Sequence, residues 1–265
     1  MKTGDFFASK PVFSLDEAER TLAPPGGRAG TVERLKHHLL TGKLKLVIRG
    51  IYAVVPPGIN PDRFQPDPFL VAVTLRPDGI FSHHSALELL GTGHSVWNRH
   101  TIYTGRRRRS LELDNATISF LEHPKPFQGS HDCVFGTRKV ERLGQVLRAT
   151  CSERTLVEGF RKPALSGGLE ELVHSAEGFP VFDLQLMKSI LDRYDIANLW
   201  AATGWFLEQH HKSFHVPEHF LSVCEKQKPR TPQYLERNNR TGKLVPRWNI
   251  ILPKSLTALG GEDDS

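Results

Sequence analysis

The chain has 265 residues, enough for one large domain or two ordinary ones, and its 38% hydrophobic and 24% charged residues suit a core-forming globular protein and exclude a fibrous or disordered chain. A formal charge of +6 favours a polyanionic partner. The three cysteines, Cys133, Cys151 and Cys224, are widely spaced and form no C-x-x-C pair, so a disulfide framework or structural zinc site is not expected and a reducing cytoplasm is.

The N-terminal "MKTGDFFASKPVF" lacks the apolar core of a signal peptide, and no stretch approaches the ~20 apolar residues of a membrane span. No membrane partner is expected. Ser14 to Leu22 is predicted as a short helix, with Ser14 as cap and Glu17 at the capping-box spacing. "APPGGRAG" breaks it, since paired prolines and glycines do not continue a helix. Thr31 is then expected to open a second helix ending near Thr41-Gly42. Leu44 to Val55 fits a hairpin turning at Arg49-Gly50. Helix, break, helix and hairpin follow the order of a winged helix-turn-helix.

The proline-rich "PPGINPDRFQPDP" reads as a linker. Beyond it helices are predicted at 67–75 and 82–90, then strands at 100–104, 110–113, 117–123 and 143–149. Helices follow at 152–160, 168–174, 183–194 and 196–210, with a late strand in "RWNIILP". The expected fold class is α+β: a winged helix-turn-helix at 1–58, a linker at 59–66 and a larger mixed domain at 67–265.

On a helical wheel Val32, Leu35 and Leu39, with Leu40 beside them, form the apolar face of the second helix, and Arg34, His37, His38 and Thr41 point the other way. Such a helix can enter a DNA major groove, where arginine grips a guanine edge. Arg28 and Thr31 at its entry complete the candidate reading set. On the hairpin, Lys43, Lys45 and Arg49 alternate with Leu44, Leu46 and Ile48, which would aim the cations at phosphates.

"VFSLDEAERTL" and "GTVERLKHHLLTGKLKLVIRGIYAVVP" resemble the N-terminal winged domain of AbiEi-family antitoxins, from type IV, phage abortive-infection toxin–antitoxin systems. "DPFLVAVTL", "SHHSALELLG", "CSERTLVEGFRKPALSGGLEEL" and "RWNIILP" resemble successive parts of that family's C-terminal domain. The resemblance implies an autorepressor that binds repeats, inverted or direct, in double-stranded promoter DNA, with self-association there. It also implies an antitoxin whose C-terminal part counteracts a nucleotidyltransferase toxin.

Catalysis is not expected. His37-His38, His83-His84 and His210-His211 are adjacent pairs, and neighbours on a helix chelate poorly. His211, His215 and His219 have the right spacing, but Val216-Pro217 interrupts the helix between them. Gly129-Ser130 and Asp132 are followed by no Asp-x-Asp pair for magnesium, and "PALSGG" is not G-x-S-x-G. No catalytic residue, metal or cofactor is assigned. Arg106, Arg107, Arg108 and Arg109, between two predicted strands, form a local positive field suited to DNA or to a toxin-side surface. The alternatives to an antitoxin are a winged-helix transcription factor whose second domain binds a ligand or dimerises, and a nucleic-acid enzyme delivered by the winged helix.

Overall fold

The computed structural model describes residues 2–106, 108–236 and 242–257. In chain order the elements begin with α1 (Thr3–Ser9), β1 (Val12–Ser14), α2 (Leu15–Leu22), α3 (Gly27–Leu40), β2 (Leu44–Ile48) and β3 (Ile51–Val54). Next come α4 (Pro68–Leu75), β4 (Ile80–Phe81), α5 (His84–Leu89), β5 (Arg99–Thr104), β6 (Leu111–Glu112) and β7 (Thr117–Glu122). Then follow β8 (Thr137–Arg142), β9 (Gln145–Thr150), α6 (Ser152–Arg161), α7 (Leu169–Glu177), α8 (Leu184–Tyr194) and α9 (Ala197–Gln209). The last are α10 (Glu218–Lys226), β10 (Gln233–Tyr234), β11 (Gly242–Val245), β12 (Ile250–Pro253) and α11 (Lys254–Thr257). The fold is α+β. None of its described helices is long and apolar enough to cross a membrane.

The chain divides into two compact units. The first holds Met1–Gly79, Asn98–Glu122 and Lys139–Arg148, and the second holds Ile80–Trp97, His123–Arg138 and Ala149–Ser265. The proline-rich span 59–66 therefore lies inside the first unit. The reason is local: Asp67 caps α4 by accepting from Phe69 N and Leu70 N, and its other oxygen takes Arg142 Nε at 2.8 Å. The Arg142 guanidinium also lies 4.4 Å over the Phe69 ring, so the end of the span is held by a residue far along the chain.

In the first unit α2 starts as its sequence specifies. Ser14 Oγ accepts from Glu17 N, and the Glu17 carboxylate accepts from Ser14 N, which is worth about 1 kcal/mol. Strands β1, β3 and β2 form an antiparallel sheet in that order, and β1 seats Phe13 against Phe6 and Tyr52. Phe6, Phe13, Ala18, Leu22, Leu35, Leu44 and Tyr52 make the core. The sequence reading missed α1 and β1, whose aromatic side chains close this core from one edge.

Helix α3 begins at Gly27, four residues before the expected Thr31. Gly26 turns the chain at φ +86°, and a Cβ on Gly30 would come 2.3 Å from the Pro25 carbonyl oxygen. The glycines that looked like breakers let the turn fold tightly against the helix. The hairpin turns at Arg49-Gly50 as expected, with Gly50 at φ +82° and open space where a Cβ would be. The constraint on Gly50 is therefore dihedral and not steric. Gly50→Val is expected to destabilise the first unit by about 1–2 kcal/mol or more in a urea titration, through left-handed strain alone. An unchanged midpoint would mean that the turn relaxes freely.

In the second unit a large core runs from Leu87 through the faces of α6, α7, α8, α9 and α10 to Trp248 and Leu256. Gly204 on α9 leaves room for the Trp248 ring, since a Cβ there would sit 2.3 Å from it. Trp248 Nε1 donates to Glu208 at 2.5 Å, and Arg247 ion-pairs with Glu208, Glu225 and Glu218. Helix α10, unpredicted from sequence, holds the last two of these acids. Trp200, Trp205 and Trp248 are core residues, whereas Trp97 is half-buried and stacks on His84.

His83, at the entry to α5, is buried at φ +53°, and burial lowers its imidazole to about 4. Glu158 partly opposes the shift, and Lys162, Arg161 and Arg154 add to it. An unfolded histidine titrates near ~6.5, so the unfolded state takes up a proton that the native state refuses. The stabilisation is complete above that value and falls towards pH 4, by up to about 1.4 kcal/mol per pH unit. His83→Asn, whose side chain tolerates positive φ, is expected to remove this one-proton slope from urea titrations between about pH 4 and pH 7. A slope equal to that of the wild type would place the acid sensitivity elsewhere, on His84 or His210 for example, whose imidazoles burial also lowers.

Candidate nucleic-acid interface

The solvent side of α3 and the tip of the β2–β3 hairpin carry a group of cations in the first unit. Leu35 is buried and Leu39 packs on the core, which turns the opposite face of α3 outward. Arg34 is half-buried and His37 exposed, and among the described residues neither makes an ion pair. The His38 imidazole is lowered first by burial and then by the charges of His37, Lys43 and Arg34. All three charges therefore act on His38, at the end of α3 and the start of β2. Lys43 and Arg49 are exposed and have no carboxylate partner among the described residues.

Other residues expected in the reading set are engaged elsewhere. Arg28 Nη1 binds Asp16 Oδ1 at 2.5 Å and Glu19 Oε2 at 3.1 Å, and these bonds raise its pKa. It fastens α3 to α2. Thr31 is fully buried and its hydroxyl donates to the Gly27 carbonyl at 3.0 Å, so it cannot touch a base. His38 turns inward, edge-on to Phe7 at 5.0 Å. Thr41 Oγ1 is exposed but donates to the His37 carbonyl at 3.0 Å, closing the helix end.

Lys45 also departs from expectation. Its Nζ donates to the Phe64 carbonyl at 2.7 Å and lies 3.7 Å from Asp114 Oδ2, so it holds the proline-rich span instead of facing phosphates. The strict alternation on β2 also fails. Leu44 is buried but Leu46, two residues on in the same regular register, is half-exposed, and a register shift follows between Leu46 and Ile48. Leu40, placed by the wheel beside the apolar face, is 88% exposed. Lys45→Ala and Lys43→Ala are expected to differ: Lys45→Ala should lower stability with little change in the salt slope of DNA binding. Lys43→Ala should leave stability intact and lower that slope by about 1. The reverse pattern in paired urea and salt titrations would exchange their roles.

Arg106, Arg108 and Arg109 are exposed, and Arg107 lies outside the described residues. In the second unit Glu171 Oε1 gathers His84 Nε2, the His94 and Ser95 amides and Ser175 Oγ within 3.2 Å. Burial pushes the Glu171 carboxyl up, and these donors, Ser95 foremost, outweigh that and hold it below the usual range. The network ties the chain after α5 to α7 and exposes no nucleophile. Helix α9 ends at Gln209 and α10 begins at Glu218, so His211, His215 and His219 do not share one helix face. Among the described residues no group of three or more histidines, cysteines or carboxylates is placed to hold a metal.

These features define an α+β protein with a cationic helix–hairpin surface. No protein-family model and no curated protein matches the chain. Among solved structures it is similar to the crystal structure of RV2827C protein from Mycobacterium tuberculosis. The TM-score is 0.62 at 16% sequence identity, covering 97% of this chain and 91% of that one. At that identity the likeness concerns the fold.

Proposed function

We propose that the chain is a DNA-binding transcriptional repressor and the antitoxin of a type IV toxin–antitoxin system. The observation that carries the first half is the group Arg34, His37 and Lys43 around His38 at the end of α3, with Arg49 at the hairpin tip, none with a carboxylate partner among the described residues. Unpaired cations on one helix face and one loop tip suit a groove and its flanking phosphates. The order α1, β1, α2, α3 and the β2–β3 hairpin, with β1 joining the hairpin as a third strand, supports the winged helix-turn-helix reading. The second half rests on the sequence resemblance to AbiEi-family antitoxins, whose toxins are nucleotidyltransferases.

Two assays separate the halves. Full-length protein should shift a duplex from its own upstream region at concentrations that leave a scrambled duplex free. Co-expression should restore growth to cells making the nucleotidyltransferase encoded beside it. Equal affinity for both duplexes would remove the repressor reading, and absent rescue by soluble protein would remove the antitoxin reading.

A further inference from the structure

The arginine run borders an unfinished edge of sheet in the first unit. Strand β6 is only two residues long and pairs antiparallel with β7 through Leu111↔Ile118 and Glu112↔Thr117. On the opposite side β5 covers β7 throughout, from Arg99↔Thr117 to Thr104↔Glu122. The Thr117 amide donates to the Asn98 carbonyl on the β5 side at 2.8 Å, so Thr117, Ser119 and Leu121 turn their backbone groups that way. Ile118 and Phe120 turn theirs to the other edge. There Leu111 meets Ile118, while no described residue hydrogen-bonds to the Phe120 N–H or C=O.

Had β6 continued backwards, Arg109 would stand opposite Phe120. Instead residues 108–110 stand away from β7 and leave a cleft of about 540 Å³ lined by Arg108, Arg109, Ser110, Ser119, Phe120 and Leu121. Arg108 and Arg109 are exposed and make no ion pair among the described residues. A free donor and a free acceptor on one residue, beside two free guanidinium groups, make a specific demand. A phosphate could take the guanidinium groups and the Phe120 N–H, but it would face the Phe120 carbonyl oxygen with like charge. An extended peptide answers all of them, since it offers its own C=O and N–H to Phe120 and its side chains to the arginines.

We propose that this edge binds an extended acidic peptide segment, which adds as a strand beside Phe120 and places carboxylates against Arg108 and Arg109. The site is separate from the α3 and hairpin cations and does not depend on the DNA reading.

The test uses full-length protein and a fluorescein-labelled nonapeptide of alternating valine and glutamate. Three comparison probes accompany it: the glutamine version, the same peptide N-methylated at its central amides, and a short oligothymidylate. The acidic peptide should bind and should shift the Phe120 amide resonance. Binding should weaken about 10-fold or more in Arg108→Ser/Arg109→Ser, in the glutamine peptide and in the N-methylated peptide, since charge and main-chain pairing are both needed. Both substituted side chains are exposed, and an unchanged melting curve would confirm that the variant folds. Three results would overturn the proposal: no peptide binding up to millimolar concentration, binding indifferent to N-methylation, or an oligothymidylate that alone occupies the cleft and is lost in the double variant.

Discussion

Replacing Arg34, Lys43 and Arg49 together with alanine is expected to abolish selective promoter binding while leaving the fold intact. Arg34 is the base-reading candidate, since it is half-buried on α3 beside buried Leu35 and makes no ion pair among the described residues. Loss of one bidentate contact costs about 1–3 kcal/mol and relaxes preference at one position. Lys43 and Arg49 are exposed and suit phosphates, so their removal should weaken all duplexes alike and lower the log–log salt slope by about 2. The two kinds of loss are separable: Arg34→Ala alone should narrow the gap between promoter and random DNA, and the other two should not. Equal losses on both duplexes from Arg34→Ala would make it a phosphate contact. An unchanged salt slope in Lys43→Ala/Arg49→Ala would take the hairpin off the DNA.

The largest expected effect on stability belongs to Arg154. It is fully buried in the second unit, with Nε 2.8 Å from Glu158 Oε1 and Nη1 donating to the carbonyls of Cys133 and Phe135. Its guanidinium lies 4.0 Å over the Phe127 ring, and Tyr194 donates its hydroxyl to the same Glu158 oxygen at 2.7 Å. Burial, with the Glu158 charge beside it, pushes the Tyr194 hydroxyl upward, which keeps it a donor. Arg154→Met leaves Glu158 charged and buried without its cation, so about 3–5 kcal/mol should be lost, with a fall in Tm of ~10 °C. Arg154→Met/Glu158→Leu should recover part of that loss, because it removes the stranded charge as well. If the single variant melts like the wild type, the network contributes nothing to the fold.

The parts of this fold legible in the sequence are those fixed by neighbours. The Ser14–Glu17 box, the Arg49-Gly50 turn and the helices from α6 to α9 depend on contacts within a few residues or on one helical period. Strand β8 and helix α10 were not legible for different reasons. "TRKVER" carries too few apolar residues to mark an inner face, and α10 follows a Val216-Pro217 break that reads as loop. The candidate site was legible as a pattern but not residue by residue. A helical wheel shows which side of α3 faces outward. It does not show that Arg28 is held by Asp16 and Glu19, or that Lys45 finds Phe64 and Asp114, because those partners come from other elements. Nor could spacing show that Arg108 and Arg109 border the bare edge at Phe120, which depends on β6 stopping after two residues.

The DNA reading is tested most directly by hydroxyl-radical cleavage from an iron chelate tethered at Arg34→Cys or at Arg49→Cys in full-length protein on its own promoter duplex. With α3 in the groove, the probe at position 34 should cut a few nucleotides inside each protected repeat. The probe at position 49 should cut the flanking backbone. Scattered or absent cleavage from position 34, with the protein still bound, would contradict the placement of α3 on DNA.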